Sequence, residues 1–149
     1  MSGVGDGIDH REAVELARER VRVESVNPAL DPGGSGEGEI AALVAGWLDD
    51  AGLEVEVREP RPGRPSVVGR LRGRGDGPSL MLNAHMDTVG VEGMEDPFSA
   101  RLEEGRIHGR GAYDMKGALA ACMSAAAALA EAGAPLRGDL LVAADFMGS

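Results

Sequence analysis

Helical and strand-like patterns alternate along this 149-residue chain, and the alternation limits the folds open to it. Apolar residues recur at helical spacing, or in an alanine-rich run, over about 9–23, 40–48 and 116–132. Alternating or continuous apolar runs typical of strands lie at 53–57, 67–71, 79–83 and 139–145. Two further short strands flank Glu103-Glu104-Gly105, which is typical of a hairpin. Helices interleaved with strands predict an α/β fold.

Within that class we expect a three-layer domain in which helices flank a mostly parallel central sheet. The apolar run Leu80-Met81-Leu82 predicts a strand that is covered on both faces. The sequence stops soon after its last apolar strand, so we expect residues 1–149 to be part of a larger domain. That last strand is then expected to present an unpaired apolar edge, so that the isolated chain aggregates or needs a partner chain.

Charge and composition exclude several classes of partner. Twenty-five acidic residues against 15 basic ones give a net charge of -10, which argues against nucleic acid or an anionic membrane surface and favours cations as ligands. The least polar stretch, Ala118 to Ala130, is shorter than the ~20 residues of a membrane span. A lone cysteine, Cys122, and a start without a signal pattern predict a cytoplasmic protein. Lys116 is the only lysine of the chain.

The strand at 79–83 runs directly into His85-Met86-Asp87. In open α/β sheets, ligands bind at the carboxyl ends of the strands. Positions two apart in an extended segment point to the same face, so His85 and Asp87 can converge on one site. The pair then acts as a metal ligand with its supporting carboxylate, or as a general base with the group that orients it. The alternative is a polar loop with a hydrogen-bonded histidine.

A second polar cluster, Gly109 to Gly117, precedes the alanine-rich helix. It superficially resembles a phosphate-binding loop, but Asp114 stands where a dinucleotide-binding loop needs glycine, and its charge repels pyrophosphate. Asp114 is therefore interpreted either as a helix N-cap or as a metal ligand. A carboxylate can bridge two metal ions ~3.5–4 Å apart. Imidazole and carboxylate ligands together suit Zn²⁺, with Co²⁺ or Mn²⁺ as substitutes.

Taken together, these motifs resemble those of the dinuclear zinc hydrolases, the family of acetylornithine deacetylase, succinyl-diaminopimelate desuccinylase, aminoacylase and glutamate carboxypeptidase. The matching segments, in order, are Ser25-Val26-Asn27-Pro28, Ala84-His85-Met86-Asp87-Thr88-Val89, Asp96-Pro97-Phe98, Gly109-Arg110-Gly111 and Asp114-Met115-Lys116-Gly117. The resemblance implies that His85 binds one zinc ion, that Asp114 bridges two, and that Asp87 orients His85. It also implies that residues 1–149 are the N-terminal part of the catalytic domain, without its C-terminal part or the lid or dimerisation domain.

The family hydrolyses amide or peptide bonds, which implies a small N-acylated amino acid or peptide as substrate. It uses a zinc-activated water and a glutamate as general base, followed by a second glutamate that binds zinc. Here the corresponding segment reads Ala144-Asp145-Phe146-Met147-Gly148-Ser149, so at least one of these carboxylates is replaced, and Asp145 occupies one acidic position only in one alignment register. The alternative is a non-catalytic remnant or pseudoenzyme, and a third interpretation is a small α/β binding module. A homodimer or a partner chain also stays open.

Overall fold

A computed structural model of the chain describes residues 8–148, so the glycine-rich start and Ser149 lie outside the described part. The helices are α1 (His10–Val21), α2 (Gly38–Asp50) and α3 (Gly117–Glu131). The strands are β1 (Glu54–Arg61), β2 (Arg64–Leu71), β3 (Leu80–His85), β4 (Arg101–Glu103), β5 (Arg106–His108) and β6 (Leu140–Asp145). These elements follow the predicted order, and the α/β class is confirmed.

The helix boundaries follow local signals in the sequence. Asp9 precedes α1, and its carboxylate accepts a hydrogen bond from the Arg11 backbone N–H at 2.9 Å, which satisfies one free donor of the first turn. Gly52, which follows α2, has a φ of +94°, a conformation that glycine adopts without strain. Among residues 8–148, no helix is both long and apolar enough to cross a membrane.

The main sheet has the strand order β1-β2-β6-β3, and β4 pairs with β5 in a separate hairpin. In the main sheet only β3 and β6 are parallel; β1 with β2 and β2 with β6 are antiparallel. The sheet is therefore mixed, whereas a mostly parallel sheet was expected. The two-residue connection Pro62-Gly63 explains the first antiparallel pair, because so short a connection joins only antiparallel neighbours, whereas the pairing of β2 with β6 depends on how the distant strands meet.

The described residues form two of the three expected layers. The helix α2 packs on β1 and β2, and α3 packs on β3 and β6. Both helices contribute to one hydrophobic core on a single face of the sheet, where Val67 and Ala84 flank Ala144 in register. The strand residues that alternate with these point to the opposite face, where Met81 is 53% exposed. Within residues 8–148, that face has no helical layer.

Among the described residues β3 is an edge strand with one face exposed, so the prediction that it is covered on both faces is wrong. Leu80 and Met81 are 60% and 53% exposed. The unpaired edge predicted for the last strand is also wrong, because β6 lies between β2 and β3 and is paired on both sides. An apolar run of this length fits a buried strand and an edge strand equally, because the covering elements are not encoded in the run itself.

We expect the isolated chain to self-associate through the β3 edge as its concentration rises, since exposed apolar edges pair with other strands. Sedimentation velocity over a concentration series measures this, and Met81→Lys is expected to reduce it. Val57→Lys is the control, because Val57 is also exposed but its strand β1 already carries charged neighbours. A wild-type chain that stays monomeric at all concentrations would contradict this expectation.

A buried ion pair joins the start of α2 to β2. Arg64 donates from Nε and Nη2 to the carboxylate of Glu37, at 2.5 and 2.6 Å. The Glu37 side chain is fully buried and that of Arg64 is nearly so. The hydrogen bonds to Glu37 raise the pKa of Arg64. The Arg64 guanidinium also lies 4.2 Å from the ring centroid of Phe146, so this pair supports the segment that follows β6.

Candidate metal centre

The two residues predicted to bind metal lie together at the carboxyl end of β3. His85 is the last residue of β3, and the irregular turn at Ala112–Lys116, just before α3, carries Asp114 to it. His85 Nε2 lies 2.9 Å from Asp114 Oδ1. The His85 side chain is 16% exposed, whereas the Asp114 side chain is 77% exposed. The fold therefore brings together two groups 29 positions apart, at the rim of the sheet.

The second ring nitrogen of His85 faces the segment that follows it. Nδ1 lies 2.9 Å from the backbone carbonyl oxygen of Asp87 and 3.3 Å from its carboxylate oxygen Oδ1. With a proton on Nδ1, the ring donates to that carbonyl, and the unprotonated Nε2 then faces the Asp114 carboxylate as a second electron-pair donor, as two ligands of one cation would. The closer acceptor for Nδ1 is thus the backbone carbonyl of Asp87, a contact that the side-chain pattern of the sequence does not reveal, and its carboxylate is the second neighbour.

The Asp87 carboxylate is fully buried, and its hydrogen bonds fix its position. Oδ2 accepts from Asn27 Nδ2 at 2.7 Å, and Oδ1 accepts from the Met147 backbone N–H at 2.9 Å. These donors offset the cost of burying a charge. Ser25 supports the same segment by donating from Oγ to the Met86 carbonyl at 2.8 Å. Ser25 and Asn27 belong to one of the matching sequence motifs, but the sequence alone assigns neither a role.

Asp114 does not cap α3. The residue at the N-cap position is Lys116, and the helix start has no side-chain hydrogen bond of the capping type. The Asp114 carboxylate instead contacts His85. Of the two interpretations left open by the sequence, the structure therefore removes the helix cap and leaves the metal ligand open.

Lys116 is fully buried beneath the same turn. Its Nζ donates to the carbonyl oxygens of Arg20 at 2.9 Å and Val23 at 2.8 Å. Burial lowers the pKa of Lys116 to about 8, and the nearby Glu24 carboxylate opposes that shift. At pH 7 the side chain is therefore still mainly protonated and able to donate both hydrogen bonds.

Gly111 allows this turn to approach the segment after β3. Its φ is +81°, and a Cβ there would lie 2.6 Å from Thr88 Cγ2. We expect Gly111→Ala to destabilise the chain by about 1–3 kcal/mol, because both backbone strain and a steric clash follow. Urea unfolding measures this. Gly46→Ala, in α2 with nothing within 4 Å, is the control and should be neutral or stabilising. Equal stability of Gly111→Ala and wild type would contradict the expectation.

The donors present fit part of a metal site. Two ligands held tetrahedrally at ~2.0–2.2 Å from one zinc ion lie about 3.3–3.6 Å apart, so the 2.9 Å contact between His85 and Asp114 would open by about half an ångström to hold one. Among the described residues, however, no three His, Cys, Asp or Glu side chains are grouped to hold an ion. Asp145 pairs with His85 in the parallel ladder, and its Oδ2 accepts from Asn83 Nδ2 at 3.0 Å. His85 and Asp114 would therefore supply at most two ligands of a metal site.

Beside Asp114 lies a small open cavity of about 200 Å³. Arg110, Tyr113 and Met147 line it together with Asp114. The two positions after Asp145 carry an aromatic ring, Phe146, which is buried under Arg64, and the thioether of Met147. The described part of the chain thus supplies no glutamate at these two positions as a general base or further ligand.

Comparison with known proteins gives the same answer as the motifs. The family described as peptidase family M20/M25/M40 matches residues 81–146, which include His85 and Asp114. The N-formyl-4-amino-5-aminomethyl-2-methylpyrimidine deformylase of Bacillus subtilis is 35% identical over 141 residues, which is 90% of this chain and 32% of that protein. A succinyl-diaminopimelate desuccinylase of Methylobacterium sp. is 41% identical over 135 residues, or 84% of this chain and 32% of that protein.

Solved structures share the fold. Human carnosine dipeptidase 1 superposes with a TM-score of 0.73 at 21% identity, over 93% of this chain and 32% of that one. A dinuclear metal binding peptidase of the M20 family from Bacillus subtilis gives a TM-score of 0.62 at 19% identity, over 90% of this chain and 34% of that one. The chain spans about a third of the length of the curated relatives named above. The motifs, these relatives and the shared fold establish that the chain belongs to peptidase family M20/M25/M40.

Proposed function

We propose that this chain is the N-terminal, metal-binding part of a hydrolase catalytic domain that cleaves the amide bond of a small N-acylated amino acid or peptide. The named relatives remove formyl or succinyl groups, and a structural neighbour is a dipeptidase. Coverage of about a third of the relatives' length supports the assignment of residues 1–149 to one part of such a domain.

The contact between His85 Nε2 and Asp114 Oδ1 is the observation that carries this proposal. These two side chains would hold a divalent cation, zinc by preference and cobalt or manganese as substitutes. In the whole family site, Asp114 would bridge two ions. A cation held there supplies Lewis-acid activation of an amide carbonyl. Asp87 would keep the His85 ring oriented, while Asn27 and the Met147 backbone N–H keep the Asp87 carboxylate in place.

A non-catalytic remnant is the second candidate, and one observation favours it. The residues after Asp145 are Phe146 and Met147, and the described residues group no third metal ligand with His85 and Asp114. A positioned general base contributes ~10²–10⁴ in rate, so a chain without one would bind metal and turn over little substrate.

Sequence composition supports the remaining parts of the proposal. A net charge of -10 favours a cation and a small-molecule substrate over nucleic acid or an anionic membrane. The lone Cys122 supports a cytoplasmic location. A homodimer or a partner chain that completes the site is a further part of the proposal.

Zinc loading of the metal-stripped chain, followed by an assay for formate or succinate release from N-acylated amino acids, tests the function. The proposal predicts zinc binding and release that stops when a chelator is added or His85 is changed to alanine. Zinc binding without any release would favour the remnant. Weak or absent zinc binding would overturn the hydrolase and also favour the remnant.

A further inference from the structure

The segment 20–27 touches both halves of the candidate metal centre. On one side, the Lys116 ammonium donates to the carbonyls of Arg20 and Val23. On the other side, Asn27 N–H donates to the Thr88 carbonyl at 2.9 Å, and Thr88 N–H donates to the Ser25 carbonyl at 3.0 Å. The segment thereby connects the turn that carries Asp114 to the residues that follow His85.

Lys116 joins the turn that carries Asp114 to the end of α1. It lies two residues after Asp114, and its own backbone N–H donates to the Gly111 carbonyl at 2.8 Å, which closes the turn. A Cβ on Gly111 would lie 3.3 Å from Lys116 Cδ and Cε, so the stem runs directly under the turn. Among residues 8–148, no carboxylate forms an ion pair with the ammonium.

Burying an ammonium group without a carboxylate partner is costly, and solubility alone would place the only lysine at the surface. The acceptors here are the carbonyls at the end of α1, where the helix dipole favours a positive charge. Three groups are therefore fixed relative to one another: the end of α1, the turn 111–116 and, through Ser25 and Asn27, the segment after β3.

We propose that Lys116 is a positioning residue that holds Asp114 against His85 by tying the turn at 111–116 to the end of α1. This inference rests on the proposed function, because the pair that Lys116 positions is the pair that would bind metal. A purely structural lysine would lower stability when replaced and leave the contact between His85 and Asp114 unchanged in the folded protein.

The test uses the full 149-residue chain and the ring ¹⁵N signals of its three histidines. Asp114→Asn shows how the His85 signal shifts when its contact with the Asp114 carboxylate is altered. His10 and His108 serve as internal references. Lys116→Met keeps the apolar stem and removes the ammonium, so it is expected to move the His85 signal in the direction seen for Asp114→Asn. Lys116→Arg, which can donate to both carbonyls, should retain the wild-type signal.

A Co²⁺ titration of the same variants gives a second readout. Lys116→Met is expected to weaken Co²⁺ binding by about 10-fold or more, the usual effect of losing a group that orients a ligand. Arg22→Met is the matched control, because it removes an exposed positive charge from the same end of α1, and in the described residues its side chain has no hydrogen bond or ion pair to the turn. If Lys116→Met does not fold, the ¹⁵N signal and the Co²⁺ affinity are measured on Lys116→Gln instead.

The two proposals fail in different ways. An unchanged His85 signal in folded Lys116→Met, with Co²⁺ bound as tightly as by wild type, would overturn the positioning role and leave the metal site standing. Absence of Co²⁺ binding by wild type, with the His85 signal still moved by Lys116→Met, would overturn the metal site and support the positioning of Asp114.

Discussion

Asp114→Ala should abolish metal binding while the fold persists. The Asp114 carboxylate is one of two ligands that the structure brings together, so its loss is expected to weaken zinc binding by at least about 100-fold, more than the loss of a group that only orients a ligand. The fold should survive, because the side chain is 77% exposed and does not cap α3. Isothermal titration with zinc measures the affinity, and circular dichroism measures the fold.

Asp50→Ala is the matched control for this experiment. It also removes one exposed carboxylate, at the last residue of α2, far from His85 in sequence. Its zinc affinity should equal that of wild type, which separates loss of a ligand from loss of negative charge. Zinc affinity of folded Asp114→Ala equal to that of wild type would contradict the assignment of Asp114 as a ligand.

Glu37→Gln should destabilise the chain by about 3–5 kcal/mol, because it leaves the Arg64 charge without its partner in a buried position. That is a large part of the ~5–15 kcal/mol typical of a folded domain. Arg64 also stacks on Phe146, the residue that follows β6. Loss of the ion pair should therefore loosen the segment after β6, in which the Met147 N–H donates to Asp87. Urea unfolding followed by fluorescence and circular dichroism gives the free energy.

Glu39→Gln is the control for the ion pair. Glu39 lies in the first turn of α2, two residues from Glu37, and is exposed. Its replacement removes only an interaction with the helix dipole, with an expected cost of about 0.3–1 kcal/mol. If Glu37→Gln costs no more than Glu39→Gln, the buried pair does not have the role assigned to it.

The order of helices and strands could be predicted from the sequence because it depends on local patterns. Asp9 and Gly52 mark helix ends through their own hydrogen bonding and backbone conformation. The direction of β6 against β2 and the exposure of β3 could not be predicted in the same way, since both depend on which distant strands become neighbours. The apolar run Leu80-Met81-Leu82 is the clearest case, because the same residues suit a central or an edge position.

The candidate site shows the same division. His85 and Asp114 could be singled out because each stands in a distinctive motif next to a regular element, and the structure places them in contact. The contacts that support these two residues could not be predicted, because their partners are distant in sequence. Asn27 lies 60 positions from Asp87, and Lys116 lies 93 positions from Val23. Such contacts exist only once the chain has folded, so a residue type alone does not reveal them.

A metal ion shared by His85 and Asp114 is tested most directly by zinc K-edge X-ray absorption on the zinc-loaded chain. The structure predicts one imidazole nitrogen at ~2.0–2.1 Å and carboxylate oxygen at ~2.0–2.2 Å from the ion. It also predicts that the imidazole contribution disappears in His85→Ala and persists when His10 and His108 are both replaced. A spectrum that keeps its imidazole signal in His85→Ala would place the zinc elsewhere and contradict the site.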